Sequence, residues 1–428
     1  MTIRDFPPDG RTARTRPDGA PRPDVRERSG RSDVRERPGG RTGPDGRARP
    51  DTCPGTIQVH QAADGPLARV RTPGGILTAP QLRELAGCAR DLGSGVIELT
   101  SRANVQVRGL RDPAAFAARI AEAGLRPSAT HERVRNIVAA PSVDGALVAG
   151  LDRSLCARPE LAGLPGRFLF ALGDTGLVAD VASIGGRLLL AGHEVDGVPG
   201  TADGLLEAAV AFLRLRTDEW RVSELADGPA RIAAELGGTP GAYRPPRPPE
   251  RPAGLVEALV PLGRLTPEQA LALAGLAERA PTLAERAPTL ADPAERPPAL
   301  TGPAGWSVAL PGPAGRATAP PGFPGAEVRL SPRRTVLVAD RPGAGDALEA
   351  AGLVTDPDSP WVGVTACAGR PGCARALADV RADAARWVHR RHTGLPVHWA
   401  GCERQCGLPP GRVVRMVATA DGYEERHQ

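Results

Sequence analysis

Two stretches of this 428-residue chain repeat one pattern of apolar and polar positions. In the first, Gly75-Ile76-Leu77-Thr78-Ala79-Pro80-Gln81 runs into Leu85-Ala86-Gly87. In the second, Gly263-Arg264-Leu265-Thr266-Pro267-Glu268-Gln269 runs into Leu273-Ala274-Gly275 at the same spacing. Each predicts a short strand and then a helix, with Thr78 and Thr266 as N-caps, because a threonine hydroxyl accepts an N–H of the first helical turn. Further on, Glu98 to Val107 and Arg329 to Val338 alternate as strands do, and a leucine, a hydroxyl residue, an arginine and alternating valines coincide. A second helix follows in each copy, Pro113 to Gly124 in the first and about Asp346 to Gly352 in the second. The repeated order predicts an α+β fold in which duplicated half-domains combine into one sheet of a single sandwich.

Composition marks what lies outside this pattern. Residues 1–50 are Arg, Pro, Gly and Asp with almost no apolar surface, so a disordered tail is expected. A second low-complexity insertion covers 276–305, where Leu-Ala-Glu-Arg-Ala-Pro-Thr occurs twice in tandem, and Pro-rich 243–252 reads as a linker. All 54 basic residues are arginine, and the richness in Ala, Gly and Pro fits a GC-biased coding sequence, so arginine abundance alone says little. The tail holds 13 Arg against 8 acids, which accounts for the whole net charge of +5 and leaves a neutral body with few aromatics. Such a body lacks the basic, base-stacking face of a nucleic-acid binder. Without an apolar run fit for a signal peptide or a membrane span, a cytoplasmic protein with no membrane partner is expected.

Four of the seven cysteines are clustered near the C-terminus. Cys367 and Cys373 form a C-x5-C, Cys402 and Cys406 a C-x3-C, and a helix-sized segment from Ala374 to Arg391 lies between the pairs. Four thiolates match the four irons of a 4Fe-4S cube. Zinc sites mostly use shorter spacings, which C-x3-C meets and C-x5-C does not. Gly369, Gly372, Gly401 and Gly407 let backbone come close to such a cluster. Cys53, Cys88 and Cys156 stand alone, and Cys88 aligns with Leu276 in the repeat, as a core residue would.

A C-x5-C and C-x3-C quartet beneath a duplicated half with Thr100-Ser101-Arg102-Ala103-Asn104-Val105-Gln106 resembles the sulfite and nitrite reductase superfamily over most of residues 51–428. The resemblance implies ferredoxin-like half-domains at 51–128 and 253–354, and sulfite reductase-like domains at 129–242 and 355–428, the last binding 4Fe-4S. It also implies a tetrapyrrole whose carboxylates meet Arg102, Asn104, Arg135, Asn136 and Arg167, the last standing where the superfamily has a lysine. Arg333 is the counterpart of Arg102 in the second copy. Leu169 departs from the superfamily, which has a second lysine there. That residue, His398 in His398-Trp399-Ala400-Gly401-Cys402, and Cys53-Pro54-Gly55 followed by Leu67-Ala68-Arg69-Val70-Arg71 are similar to the cobalamin-pathway branch, the precorrin-3B synthases.

In that branch the tetrapyrrole is substrate: precorrin-3A is hydroxylated to precorrin-3B with dioxygen and electrons from an external donor. The branch is associated with a mononuclear non-haem iron as well, for which His60, His131 and His398 are the candidates. No Gly-x-Gly-x-x-Gly follows a strand, so an NADH-dependent reductase or a ferredoxin is the expected electron source. The alternatives are a sirohaem-dependent sulfite or nitrite reductase, against which Leu169 counts, and a non-catalytic iron-sulfur electron carrier.

Overall fold

A computed structural model describes residues 51–278, 326–390, 394–409 and 411–427. The tail expected at 1–50 and all but the first three residues of the insertion expected at 276–305 lie outside them, and Leu276 to Glu278 close a helix.

Both copies of the repeat begin with the same local device. Thr78 and Gln81 form a reciprocal capping box at the head of helix Ala79–Leu92, and Thr266 and Gln269 form its twin at helix Pro267–Glu278. Each glutamine then uses its amide N–H2 on a carbonyl just beyond the second helix of its own copy: Gln81 on Ala123 after Pro113–Glu122, Gln269 on Ala351 after Ala344–Ala350. One side chain thus ties the start of one helix to the end of the next.

The half-domains exchange strands. Strand Ile76–Thr78 of the first copy joins the sheet of the second, with Ile76 opposite Arg329. Strand Arg264–Leu265 of the second joins the sheet of the first, with Arg264 opposite Glu98. In place of one continuous sheet there are two, of five and four strands, each completed by the other copy. Between them lies one apolar core: Leu82, Leu85 and Phe116 from the first copy meet Leu273, Val336 and Leu348 from the second. Burying such a Leu or Phe stabilises by about 1.5–3 kcal/mol, and neither copy could bury its face alone.

Two further units flank this pair. A six-stranded sheet running from strand Ile137–Ala139 to strand Thr239–Tyr243 packs on helices Gly145–Cys156 and Ala202–Leu215 around a core holding Phe168, Phe170 and Phe212. A four-stranded sheet with Trp399 fully buried carries the cysteines. The helix expected over Ala374 to Arg391 is shorter, Val380–Trp387, because Asp379 caps it and the residues before fold back, Leu377 donating to the Gly401 carbonyl. Among the described residues no helix is long and apolar enough to cross a membrane.

The flanking units dock on equivalent positions of the repeat. Glu98, buried, receives Arg381 of the cysteine unit, whose Nε also donates to the Cys367 carbonyl. Its counterpart Arg329, also buried, pairs with Glu327 at 2.8 Å and donates to the carbonyls of Pro141 and Val143.

Candidate functional site

The site follows from period-2 alternation in two paired strands. In Gly65–Val70, Ala68 and Val70 enter the shared core, so Arg69 and then Arg71 face the other way. In the neighbouring Val105–Val107, the two valines enter the core and Asn104, Gln106 and Arg108 face outward, with Gln106 opposite Arg69 and accepting its Nη2 at 3.0 Å. These outward residues, with Arg102 from the turn before and Gly166 and Arg167 from the next unit, line a cleft of about 610 Å³. Among the described residues five arginines border it, Arg69, Arg71, Arg102, Arg108 and Arg167, and no Asp or Glu does.

The charge balance is lopsided. Arg71 is almost completely buried, donating Nε to Arg133 O and Nη2 to Gly166 O, while its Nη1, like the Nε of Arg69, has no hydrogen-bond partner among the described residues. Burial, followed by the neighbouring charge of Arg69, pulls Arg71 down to about 9. Burial, followed by Arg221, pulls Arg102 down to about 10, and burial lowers Arg69 as well. Desolvated cations that lack an acid partner favour an incoming anion, which would take up the orphan donors. Arg167 is held at the rim over the Trp220 ring, 4.5 Å from its centroid, and its carbonyl accepts Arg102 Nη1. Asn104 and Asn136 form the floor. Asn104 accepts the Thr72 N–H and donates to Asn136, which donates to the Phe168 carbonyl.

Arg102, Asn104, Asn136 and Arg167 therefore lie together at one cleft, but Arg135 does not. Its guanidinium forms a bidentate pair with Asp152 at 2.8 and 2.6 Å and donates to the Leu125 carbonyl. With Asn136 at the cleft, its neighbour turns instead to Asp152 on helix Gly145–Cys156 behind. Leu169 is buried among Val138, Ala171 and Leu189, away from the cleft. Arg333 pairs with Glu257 at 2.9 Å on the second copy's own sheet. Arg69, Arg71 and Arg108 are not among the expected site residues, although the alternation of Leu67-Ala68-Arg69-Val70-Arg71 signals the first two and that of Val105-Gln106-Val107-Arg108 the third.

The cysteine loops converge because strands Val364–Ala366 and Val397–Ala400 are parallel neighbours, so Cys367 and Cys402 leave the same end of the sheet. Gly401 donates to Cys367 Sγ at 3.2 Å, and a Cβ on Gly401 would come within 2.7 Å of the Ala376 Cβ. Burial raises the Cys406 thiol, with Arg404 opposing and Cys367, Cys402 and Cys373 adding to the rise, so the four thiols are within mutual electrostatic reach. Among the described residues no three His, Cys, Asp or Glu are drawn together tightly enough for a single metal ion. Four soft donors on two facing loops, with a backbone N–H already aimed at one sulfur, suit a larger iron-sulfur body whose corners spread the thiolates. Residues beside the quartet reach the cleft: Gly407, next to Cys406, lines it, and Arg108 Nη2 donates from the cleft to the carbonyl of Gly372, next to Cys373, at 2.6 Å.

The three candidate histidines do not gather. His60 lines the cleft. His131 uses both ring nitrogens, on Ser128 and Thr130 and on the Arg158 carbonyl. His398 is fully buried, bonded through Nδ1 to Thr365, and pulled down to about 4 by burial and then by Arg334. A mononuclear iron held jointly by these three is not what the fold builds.

The exchanged strands define a fold of duplicated half-domains flanked by two further sheet-bearing units. Residues 60–118 match the family model described as nitrite/sulfite reductase ferredoxin-like half domain. The structure is similar to that of the Mycobacterium tuberculosis NirA protein, with a TM-score of 0.57 at 18% identity over 85% of this chain and 73% of that one. In sequence the chain is similar to a precorrin-3B synthase of Sinorhizobium sp., 43% identical over 75 residues. That match spans 18% of this chain and 16% of its relative's length. The resemblance drawn from the motifs is thus met by the family model over residues 60–118 and, in one short stretch, by a precorrin-3B synthase, while the solved structure shares the fold.

Proposed function

We propose that the protein hydroxylates precorrin-3A to precorrin-3B in aerobic cobalamin biosynthesis, as a cytoplasmic oxygen-dependent enzyme. The observation that carries this reading is the cleft lined by five arginines and, among the described residues, by no acid, with the neighbours of the cysteine quartet at its edge. A tetrapyrrole with many carboxylates is the polyanion such a cleft suits, and arginine holds a carboxylate in two places while staying charged. Arg69, Arg71, Arg102 and Arg167 would orient the macrocycle, and much of the rate comes from fixing one face and one edge. Cys367, Cys373, Cys402 and Cys406 would hold the 4Fe-4S cluster. When bound, the cluster supplies electrons that an outside reductase or ferredoxin delivers. In balance, one oxygen atom of dioxygen enters the substrate and the other leaves as water, with two electrons and two protons consumed. The short match to a precorrin-3B synthase supports substrate over prosthetic group.

The absorbance of anaerobically purified protein tests this. A broad cluster shoulder without a Soret band, with iron and sulfide near four each per chain, is expected. Tightly bound sirohaem would favour the reductase reading, and zinc in place of iron would overturn the cluster.

A further inference from the structure

Arg108 belongs to both halves of the site. Its Nε and Nη2 grip Asp64 at 2.8 and 2.9 Å, and Nη2 also donates to the Gly372 carbonyl, one residue before Cys373. The side chain is 9% exposed, lines the cleft, and makes no hydrogen bond through Nη1 among the described residues. Gly372 is shaped to this contact: a Cβ there would lie 2.8 Å from Nη2 and 3.2 Å from Cζ, against a guanidinium already fixed by three hydrogen bonds. Its φ is not in the left-handed region, so that contact is what calls for glycine. Burial disfavours the Arg108 charge, but Asp64, Glu98 and the Cys373 thiol outweigh it and hold its pKa above the ordinary value. Glu98 in turn carries Arg381, whose Nε bonds the Cys367 carbonyl. The two ends of the C-x5-C loop are thus clasped by cations anchored on one sheet of the first half-domain.

We infer that Arg108 is a positioning residue that couples the cleft to the cluster, its single guanidinium setting both how readily the cluster is reduced and how strongly that reducibility responds to an anion in the cleft. A cation beside Cys373 stabilises the cluster with one more electron. An anion reaching Nη1 places negative charge on the cluster's side of the cleft, and Arg108 shields the thiolates from it. By linkage, whatever shift the anion imposes on reduction, reduction imposes equally on anion affinity. The inference rests on the quartet holding iron and sulfide, which analysis of both elements checks separately.

The test is a redox titration of cluster-loaded protein, read by visible absorbance and by the EPR of the reduced cluster, with and without uroporphyrin III as polycarboxylate probe. Arg108→Gln should lower the midpoint potential and enlarge the probe-induced fall. Asp64→Asn, which leaves the cation but removes its counter-charge, should raise the potential. Gly372→Ala changes no charge but displaces the guanidinium, and should act in the direction of Arg108→Gln, while Arg108→Lys should recover part of the potential. If Arg108→Gln retains no cluster, the opposite shifts of Asp64→Asn and Gly372→Ala still decide. Potentials that do not move, or that fall alike in Arg108→Gln and Asp64→Asn, would overturn the inference and leave Arg108 a fastening between domains. Absence of iron and sulfide from the wild type would instead count against the proposed function.

Discussion

The two copies of the repeat make the same turn and put it to different use. In the first, Thr100 N–H reaches the Asn104 carbonyl, Ala103 N–H the Thr100 carbonyl, and Arg102 N–H the Thr100 hydroxyl. In the second, Ser331, Arg334 and Arg333 reproduce these bonds one for one, and Ala103 and Arg334 share the left-handed conformation at φ 54° and 61°. Yet Arg102 borders the cleft, whereas Arg333 is neutralised by Glu257, which the partner strand of the second sheet supplies. At the position of Asn104, which braces the cleft floor, stands Thr335, bonded to Ser331 and Glu257. The backbone pattern outlasts the duplication; the function depends on whether a neighbouring strand brings an acid.

The same comparison holds at the joints, where Glu98 and Arg329 occupy equivalent positions with opposite charge. Removing Arg329 should have the largest effect on stability. Arg329→Met leaves Glu327 buried without its partner, a loss of about 3–5 kcal/mol, measurable by urea denaturation. Glu98→Gln should cost about 3 kcal/mol on the same grounds, and the loss should appear as loosening of the cysteine unit in hydrogen exchange. The carboxyl of Glu98 is itself desolvated, but Arg381 and its hydrogen bonds prevail and hold it below the ordinary value. A depressed carboxylate contributes fully above the unfolded pKa, so this joint should persist at neutral pH and fail as pH drops through the depressed folded value, beneath about 4.3.

Smaller effects separate the turns themselves. Arg102→Ala should weaken uroporphyrin binding about ten- to hundredfold, as loss of one charged hydrogen bond of about 1.5–3 kcal/mol would do. Arg333→Ala should leave affinity unchanged and cost at most about 1 kcal/mol of stability, as a half-exposed pair does. Equal loss of affinity in both variants would contradict the asymmetry. Smallest, and equal in the two copies, should be Thr78→Ala and Thr266→Ala, about 1 kcal/mol each in melting experiments, since the capping boxes are alike.

Much of this was legible in the chain. Identical spacing around Thr78 and Thr266 foretold the paired caps, because capping is local, and the quartet's spacing foretold loops that meet. What escaped was the side to which each arginine points. Arg135 stood beside Asn136 in a motif and was expected at the cleft, but Asp152, the partner that claims it, is adjacent only in the fold. Arg69 and Arg71 stood in the stretch that resembles the cobalamin-pathway branch but were given no place at the cleft, although the strand's alternation marks them. The exchange of strands between copies was not legible, since two-residue Arg264–Leu265 carries no signal of which sheet it will complete.

The proposed reaction needs an arginine cleft for a tetrapyrrole together with electron delivery through the cysteine quartet. It is tested most directly by incubating reduced, cluster-loaded protein with precorrin-3A under labelled dioxygen and weighing the product. One labelled oxygen atom in the product is the expected result. Unlabelled or unchanged precorrin-3A, from protein with full iron and sulfide, would contradict it.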